Sequence, residues 1–422
     1  MLTKREIITV REAVKKVLEY KKHGEIEYIS IEESDGRYLA EPIVADHDVP
    51  PFDRSPLDGF AIRAIDTRNA TLEKPVELEI IEEVGAGTVA KKEIKEGQAI
   101  RIMTGAKMPE GTDVIVMLEL TKEISRDQKK YVVINQSFKK GDNINFQGED
   151  AQKGTQLIER GRRINPGIIA LLATFGYAKV PVIKKPVVGI YATGTELLDV
   201  QEELQLGKIR NSNSYMVTSQ VKKVGAEPYY FGKLDDDFER CYEAITKALE
   251  KADLLITTGG VSVGDYDFLP AIYEKLGANV LFNKISMRPG SVTTVAELNG
   301  KLLFGLSGNP SACYVGFELY ARPWLKSYFK SEKPHLQKIQ ATLMENFTKP
   351  NSFTRFVRGK KSYQNGSLVV SSTGIDKSSN VTILANADAL IILPGGEKGY
   401  EKGTMVDILL LNEEGSNWSW DK

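Results

Sequence analysis

Val187-Val188-Gly189-Ile190-Tyr191-Ala192-Thr193-Gly194-Thr195-Glu196 opens the part of the chain whose pattern decides the fold. An apolar, β-branched run closed by Thr-Gly-Thr-Glu reads as a buried strand entering a turn. The alternation then repeats. Residues 215–223 read as a helix ended by Gly225, 228–231 as a strand, and 238–251 as a helix with Tyr242, Ile245 and Leu249 on one face. Residues 254–258 read as a strand, 269–276 as a helix and 280–285 as a strand. Residues 292–297 and 301–305 form a hairpin joined by Asn299-Gly300. A helix over 311–329 follows Pro310, and Pro323 forces a kink or break in it. Strands alternating with helices predict a three-layer α/β/α unit with a largely parallel sheet.

On both sides the pattern changes. Thr9-Val10-Arg11-Glu12 fits a capping box, with Val10, Val14, Val17 and Leu18 on one helical face and Gly24 as the stop. Short β-rich runs at 76–81, 98–103, 113–118 and 131–135 are broken by glycines and predict a β-rich domain. Asn165 and Pro166 start a helix that Gly176 ends. After His335, strands at 353–358, 367–371, 389–393 and 405–411, with Asn365-Gly366 as a hairpin turn, predict a small barrel or sandwich.

Composition narrows the function. Fifty-six Lys and Arg against 57 Asp and Glu give a net charge of −1, which argues against a nucleic-acid or anionic-membrane binder. With 41% apolar and 27% charged residues the chain is of ordinary globular composition. Its 422 residues, at roughly 150 per domain, allow about three domains. The two cysteines, Cys241 and Cys313, cannot build a disulfide framework or a cysteine-rich zinc site, and His23, His47 and His335 lie far apart. The first twenty residues carry charge throughout and no apolar core of a secretory signal, and no apolar run approaches a membrane span; the expected location is cytoplasmic.

Ligands of an open parallel sheet collect at the carboxyl ends of its strands. Four such ends carry glycines, hydroxyls or carboxylates: 193–196, 235–237, 259–267 and 306–310. Bare glycine backbone can approach a phosphate closely. The carboxylates would repel that phosphate unless a divalent cation lay between, so the expectation is a phosphate-bearing ligand with Mg²⁺. Each end taken singly could be a turn or a helix cap, and Asp236 or Asp237 could be a plain N-cap. Three other patterns are read down. Gly85-Ala86-Gly87-Thr88-Val89-Ala90 is a β-turn, since no long amphipathic helix follows it. The segment 305–309 is placed like a nucleophile elbow, but it lacks the final glycine, so Ser307 reads as a loop hydrogen-bonding group. No phosphate-binding P-loop occurs.

The motifs converge on one family. Pro50-Pro51-Phe52-Asp53-Arg54-Ser55-Pro56-Leu57-Asp58-Gly59-Phe60-Ala61 resembles the signature of the molybdopterin molybdenumtransferases, the MoeA family that includes the C-terminal domain of gephyrin. Arg101-Ile102-Met103-Thr104-Gly105-Ala106 and Gly148-Glu149-Asp150 are similar to its second and third signatures. Thr193-Gly194-Thr195-Glu196-Leu197, Thr258-Gly259-Gly260-Val261-Ser262-Val263-Gly264 and Ser307-Gly308-Asn309-Pro310 are similar to its molybdopterin-binding loops. The ordered set runs over nearly the whole chain. The resemblance implies a discontinuous linker domain (1–50 with 142–181), an inserted β-rich domain (51–141), a molybdopterin-binding α/β domain (182–330) and a C-terminal β-barrel domain (331–422). It also implies an elongated homodimer. The implied reaction inserts molybdate into the dithiolene of adenylated molybdopterin with Mg²⁺, releasing AMP; a partner would hand over the adenylated pterin.

Carried over by motif, Asp58, Thr104 and Asp150 belong to the catalytic set, with Glu196, Asp236 and Asp267 at metal and pyrophosphate. Asp235 or Asp237 could replace Asp236, and Asp265 could replace Asp267. Lys284 and Arg288 would face phosphate or molybdate, and Arg355, Arg358 and Ser378 would line the cleft. Taken alone, Asp58 could be a turn residue before Gly59. Two departures stand out. Arg288-Pro289-Gly290-Ser291-Val292 replaces the Lys-Pro-Gly-Lys-Pro of many members, and Asn145 stands where some have Arg. The rival function is a non-catalytic molybdopterin-binding or scaffold protein, which would not need the full carboxylate set.

Overall fold

The computed structural model describes residues 6–234, 237–260, 269–411, 415–416 and 418–420. They divide into two compact units, Met1–Glu41 with Arg160–Ala170 and Ala178–Lys422, and Pro42–Glu159 with Leu171–Tyr177.

The first unit is built on a six-stranded sheet. Its spatial order is Glu227–Leu234, Val187–Thr193, Leu254–Thr258, Lys301–Leu306, Thr294–Leu298, Asn279–Phe282. The first four strands are parallel; Thr294–Leu298 runs antiparallel to both its neighbours, so Asn279–Phe282 again points the same way as the first four. Side chains along each strand alternate between two cores, which makes the unit three-layered. Ile190, Leu254, Ile256, Leu302 and Phe304 pack towards the helix Asn213–Val224 and the helical run 310–328. Tyr191, Leu255 and Leu303 pack the other way, onto Phe238–Lys251 and Leu269–Lys275. Gly225 ends its helix in the left-handed conformation, as expected. Asn299 and Gly300 both have positive φ, the geometry of a two-residue hairpin turn.

The kink expected at Pro323 is absorbed upstream. The helices Pro310–Gly316 and Arg322–Tyr328 are joined by a π-helical turn, Phe317–Ala321. Pro323 has no N–H to give to the previous turn, and the wider turn relieves the mismatch without ending the helix.

At the N-terminus the capping box forms: Glu12 N donates to Thr9 Oγ1 at 3.2 Å, and Thr9 N to Glu12 Oε2 at 2.7 Å. The helix Val10–Glu19 stops well before Gly24. The indole N–H of Trp324 takes the Tyr20 carbonyl at 2.9 Å, outside the helix. Gly24 is instead a close-approach residue, because a Cβ there would lie 2.4 Å from the Tyr328 ring.

The barrel-or-sandwich alternative resolves to a barrel. Thr354–Gln364, Ser367–Ser372, Lys338–Leu343, Met405–Leu410 and Ala389–Leu393 close on themselves. Nearby, the His335 ring packs at a tilt against Trp418, with ring centroids 5.4 Å apart. Burial, with Arg322 nearby, pushes its pKa down from 6.5 to about 4. A depressed histidine pKa gives stability that is complete above the unfolded value and lost as pH falls from about 6.5 to about 4. The expected loss is about 3 kcal/mol over that window. Denaturant titrations of the His335→Phe variant should show that segment of the pH profile flattened.

In the second unit the sheet order is Val114–Met117, Gly59–Ile62, Gln98–Ile102, Val76–Val84, Lys129–Ile134, Thr121–Arg126. Gly59 starts an inner strand directly after the bend at 56–58; a Cβ there would lie 2.2 Å from the Val116 carbonyl oxygen. The Gly85 segment is the β-turn expected, with Thr88 N donating to Gly85 O at 3.1 Å. Among the described residues, no helix is long and apolar enough to cross a membrane.

Candidate active site

The carboxyl ends of the parallel strands open into a cleft of about 1540 Å³. Its floor is nearly bare backbone. Gly259 N donates to Leu306 O at 2.8 Å, tying two adjacent strand ends. Gly194 and Gly259 have φ of +131° and +107°, where only glycine sits without strain. A Cβ on Gly194 would come within 2.4 Å of Glu196 Oε2, and one on Gly259 within 2.5 Å of Thr193 Oγ1. The third loop is held from below: Asn213 Nδ2 donates to Gly308 O at 2.7 Å. Ser307 Oγ accepts from Asn309 N at 3.2 Å, the loop role the sequence assigned to it. Thr193, Gly194, Glu196, Gly259, Gly260, Ser307, Gly308 and Asn309 all line this end. Pro310 follows as the first helical residue.

The rest of the lining is cationic. Arg288 pairs in register with Arg355, because the short strand Met287–Arg288 adds in parallel to Thr354–Gln364. Arg355 Nη2 donates to Asp376 Oδ2 at 2.7 Å, and Arg358 donates to Asp376 Oδ1. Arg358 is 1% exposed, and burial lowers its pKa against the opposing pull of Asp376. Ser378 lines the wall, and its carbonyl accepts from Ser311 N at 3.1 Å. Among the described lining residues, five cations (Arg288, Lys349, Arg355, Arg358, Lys377) face two carboxylates (Glu196, Asp376). Such a wall attracts an anion.

Lys284 is not among the described lining residues; its side chain is half-buried, and its carbonyl accepts from Ile8 N at 3.1 Å. Asp237, the alternative to Asp236, caps its helix through Oδ1 and Arg240 N at 2.8 Å. Asp235, Asp236, Ser262, Gly264, Asp265 and Asp267 lie outside the described residues. Among the described residues, no cluster of three or more His, Cys, Asp or Glu could hold a metal ion.

The second unit brings its three signature segments together. Arg54 N donates to Asn145 O at 2.9 Å, Ser55 N to Ala106 O at 3.0 Å, and Asp150 N to Val49 O at 2.9 Å. Asp58 Oδ1 accepts from Thr104 N at 2.7 Å and Thr104 Oγ1 at 2.8 Å. These bonds, the backbone one first, hold the exposed Asp58 carboxyl below its usual range, with help from the Arg101 charge.

Sequence reading missed Asp376, Lys349 and Lys377 in the cleft, and Asn213 beneath it. Asp376 meets arginines 18 and 21 positions earlier, a separation set by barrel closure and not by any local period.

Three family descriptions match in chain order: "MoeA N-terminal region (domain I and II)" over residues 8–176, "Probable molybdopterin binding domain" over 189–327, and "MoeA C-terminal region (domain IV)" over 340–411. The chain is 57% identical to the molybdopterin molybdenumtransferase of Bacillus subtilis strain 168, over 100% of this chain and 98% of that one. It is 48% identical to that of Staphylococcus epidermidis RP62A, over 96% of both. It is also similar to two crystal structures of the molybdopterin biosynthesis MoeA protein from Pyrococcus horikoshii. Their TM-scores are 0.81 and 0.84 at 32% and 30% identity; each is covered completely, over 96% and 97% of this chain. By fold, motif order and full-length likeness, the chain belongs to the molybdopterin molybdenumtransferases, the transferases of molybdenum cofactor biosynthesis.

Proposed function

We propose that the chain inserts molybdate into the dithiolene of adenylated molybdopterin, with Mg²⁺, releasing AMP. The observation that carries the reading is a single cleft lined by both bare glycine backbone and arginine side chains. Gly194, Gly259, Gly260 and Gly308 leave room for a diphosphate against backbone. Arg288 and Arg355 offer the oxyanion fixed positive charge. The task of these residues is to hold two anionic reactants side by side and offset their repulsion. Glu196 and Ser307 are oxygen donors at the glycine end, a set that suits a hard cation retaining most of its waters. Asp236 and Asp267 complete that set in this reading. Bound there, Mg²⁺ would offset diphosphate charge as the bond to AMP breaks.

The reading includes a homodimer, a separate protein that supplies the adenylated pterin, and a cytoplasmic location. Cys241 and Cys313 are buried and not joined in a disulfide, which fits a reducing compartment. Asp58 acts with Thr104 as one catalytic pair, since neither has another side-chain partner in its hydrogen bonds among the described residues. Asp58→Ala is expected to abolish cofactor formation while circular dichroism stays that of the parent; an unchanged rate would remove Asp58 from the set.

The test is direct. Purified protein, adenylated molybdopterin, Mg²⁺ and molybdate should release AMP in step with molybdenum cofactor. Molybdate-independent binding of the pterin with no AMP release would mean a carrier instead.

A further inference from the structure

The arginine wall contains an arrangement that the reaction by itself does not demand. Two guanidiniums, those of Arg355 and Arg358, are served by one carboxylate, Asp376, while Arg288 lines the same cleft. Arg288 and Arg355 are register partners on adjacent strands, so their charges repel. Each lies near an aromatic ring, Arg288 at 5.9 Å from the Phe353 centroid and Arg355 at 5.3 Å from that of Phe347. Arg358 is 1% exposed, too buried to present its charge to a ligand. Its Nη1 is taken by the Phe356 carbonyl at 2.7 Å, and its Nε is a buried donor with no hydrogen-bond partner.

Asp376 divides its two oxygens between Arg358 and Arg355. Arg355 therefore gives only Nη2 to the protein, at 2.7 Å, and its Nε and Nη1 have no hydrogen-bond partner among the described residues. A buried Arg358 holds Asp376, and Asp376 holds the Nη2 end of Arg355. The Asp376 loop is itself anchored, through Ser311 N to Ser378 O at 3.1 Å and Ser311 Oγ to Asn380 O at 2.9 Å. A guanidinium anchored through one N–H of Nη2 still has a two-donor edge free to fork onto an oxyanion.

Resting on the reading above, we infer that Asp376 is the positioning residue of the oxyanion half of the cleft. It holds Arg355 in place for molybdate and takes no part in holding the pterin. Arg358 acts only through it. Removing the carboxylate takes away a negative charge, which by itself would strengthen anion binding. The inference therefore commits to the opposite sign: geometry outweighs charge.

The test uses molybdate alone as the first probe, by equilibrium dialysis with metal analysis, so that it does not depend on turnover. Asp376→Asn should bind molybdate about 10-fold or more weakly than the parent, and Asp376→Glu should recover most of that loss. In turnover, Asp376→Asn should raise KM for molybdate by a similar factor, with KM for adenylated molybdopterin moving less than about twofold. Should Asp376→Asn unfold because Arg358 is left buried and unpaired, Asp376→Asn with Arg358→Met removes both charges and carries the same expectation. Equal or tighter molybdate binding in the variants overturns the inference, as does a parallel rise in both KM values. Absence of AMP release by a parent that binds molybdate would overturn the transferase mechanism and leave this inference standing.

Discussion

Glu196→Gln should reduce cofactor formation by at least about 10²–10³-fold and leave stability almost unchanged. The residue is exposed at the cleft edge, after the turn at Gly194, and makes no ion pair among the described residues. Its side chain therefore contributes little to folding, and a surface change of this kind stays within about 0.5 kcal/mol. The substitution keeps shape and removes charge, so a loss in rate reports the carboxylate itself. Rates measured at saturating and limiting Mg²⁺ check the proposed role. A loss that excess Mg²⁺ partly reverses marks a metal-facing carboxylate, whereas an unchanged rate takes Glu196 out of the mechanism.

Gly259→Ala should cost both stability and activity. The residue combines a φ of +107° with a Cβ position 2.5 Å from Thr193 Oγ1 and 3.0 Å from Thr193 O. Backbone strain alone is worth about 1–3 kcal/mol. Relief of the overlap must move the 193 or the 259 loop, and both line the cleft. A displacement near 1 Å at a positioning loop costs about 10²-fold in rate. Gly277→Ala supplies the control: its φ is +70°, but nothing lies within 4 Å of its Cβ position. It should lose stability through strain and keep full activity. If Gly259→Ala is as active as the Gly277 variant, the floor of the cleft is not the glycine surface described.

The α/β unit was legible because its signals are local. The helix Phe238–Lys251 and the strand Leu254–Thr258 have the bounds their periodicity gives, and Asn299-Gly300 makes the expected hairpin. Errors arose where a distant contact decides. Tyr20 leaves its helix because Trp324, some three hundred positions later, takes its carbonyl. The strand Lys338–Leu343 was missed because its polar residues Lys338 and Gln340 interrupt the apolar run; pairing across the barrel sets it. The need for glycine at position 59 was not visible locally, because the feature that requires it, the Val116 carbonyl, lies on another strand.

In the cleft, the glycine wall could be read from strand-end loops, since each loop carries its own signature. Resemblance contributed Asp58 and Thr104, which meet across 46 positions. The supports Asp376 and Asn213 carry no motif of their own: an aspartate or asparagine in a loop or at a helix start is ordinary until its partner is known.

The most direct test of the single-cleft account is a crystal structure with AMP and molybdate soaked together, with molybdenum located by its anomalous scattering. The account predicts molybdenum beside Arg288 and Arg355 and the AMP phosphate against Gly194, Gly259 and Gly308, within one cavity. Molybdenum or AMP bound on a surface away from these residues would contradict it.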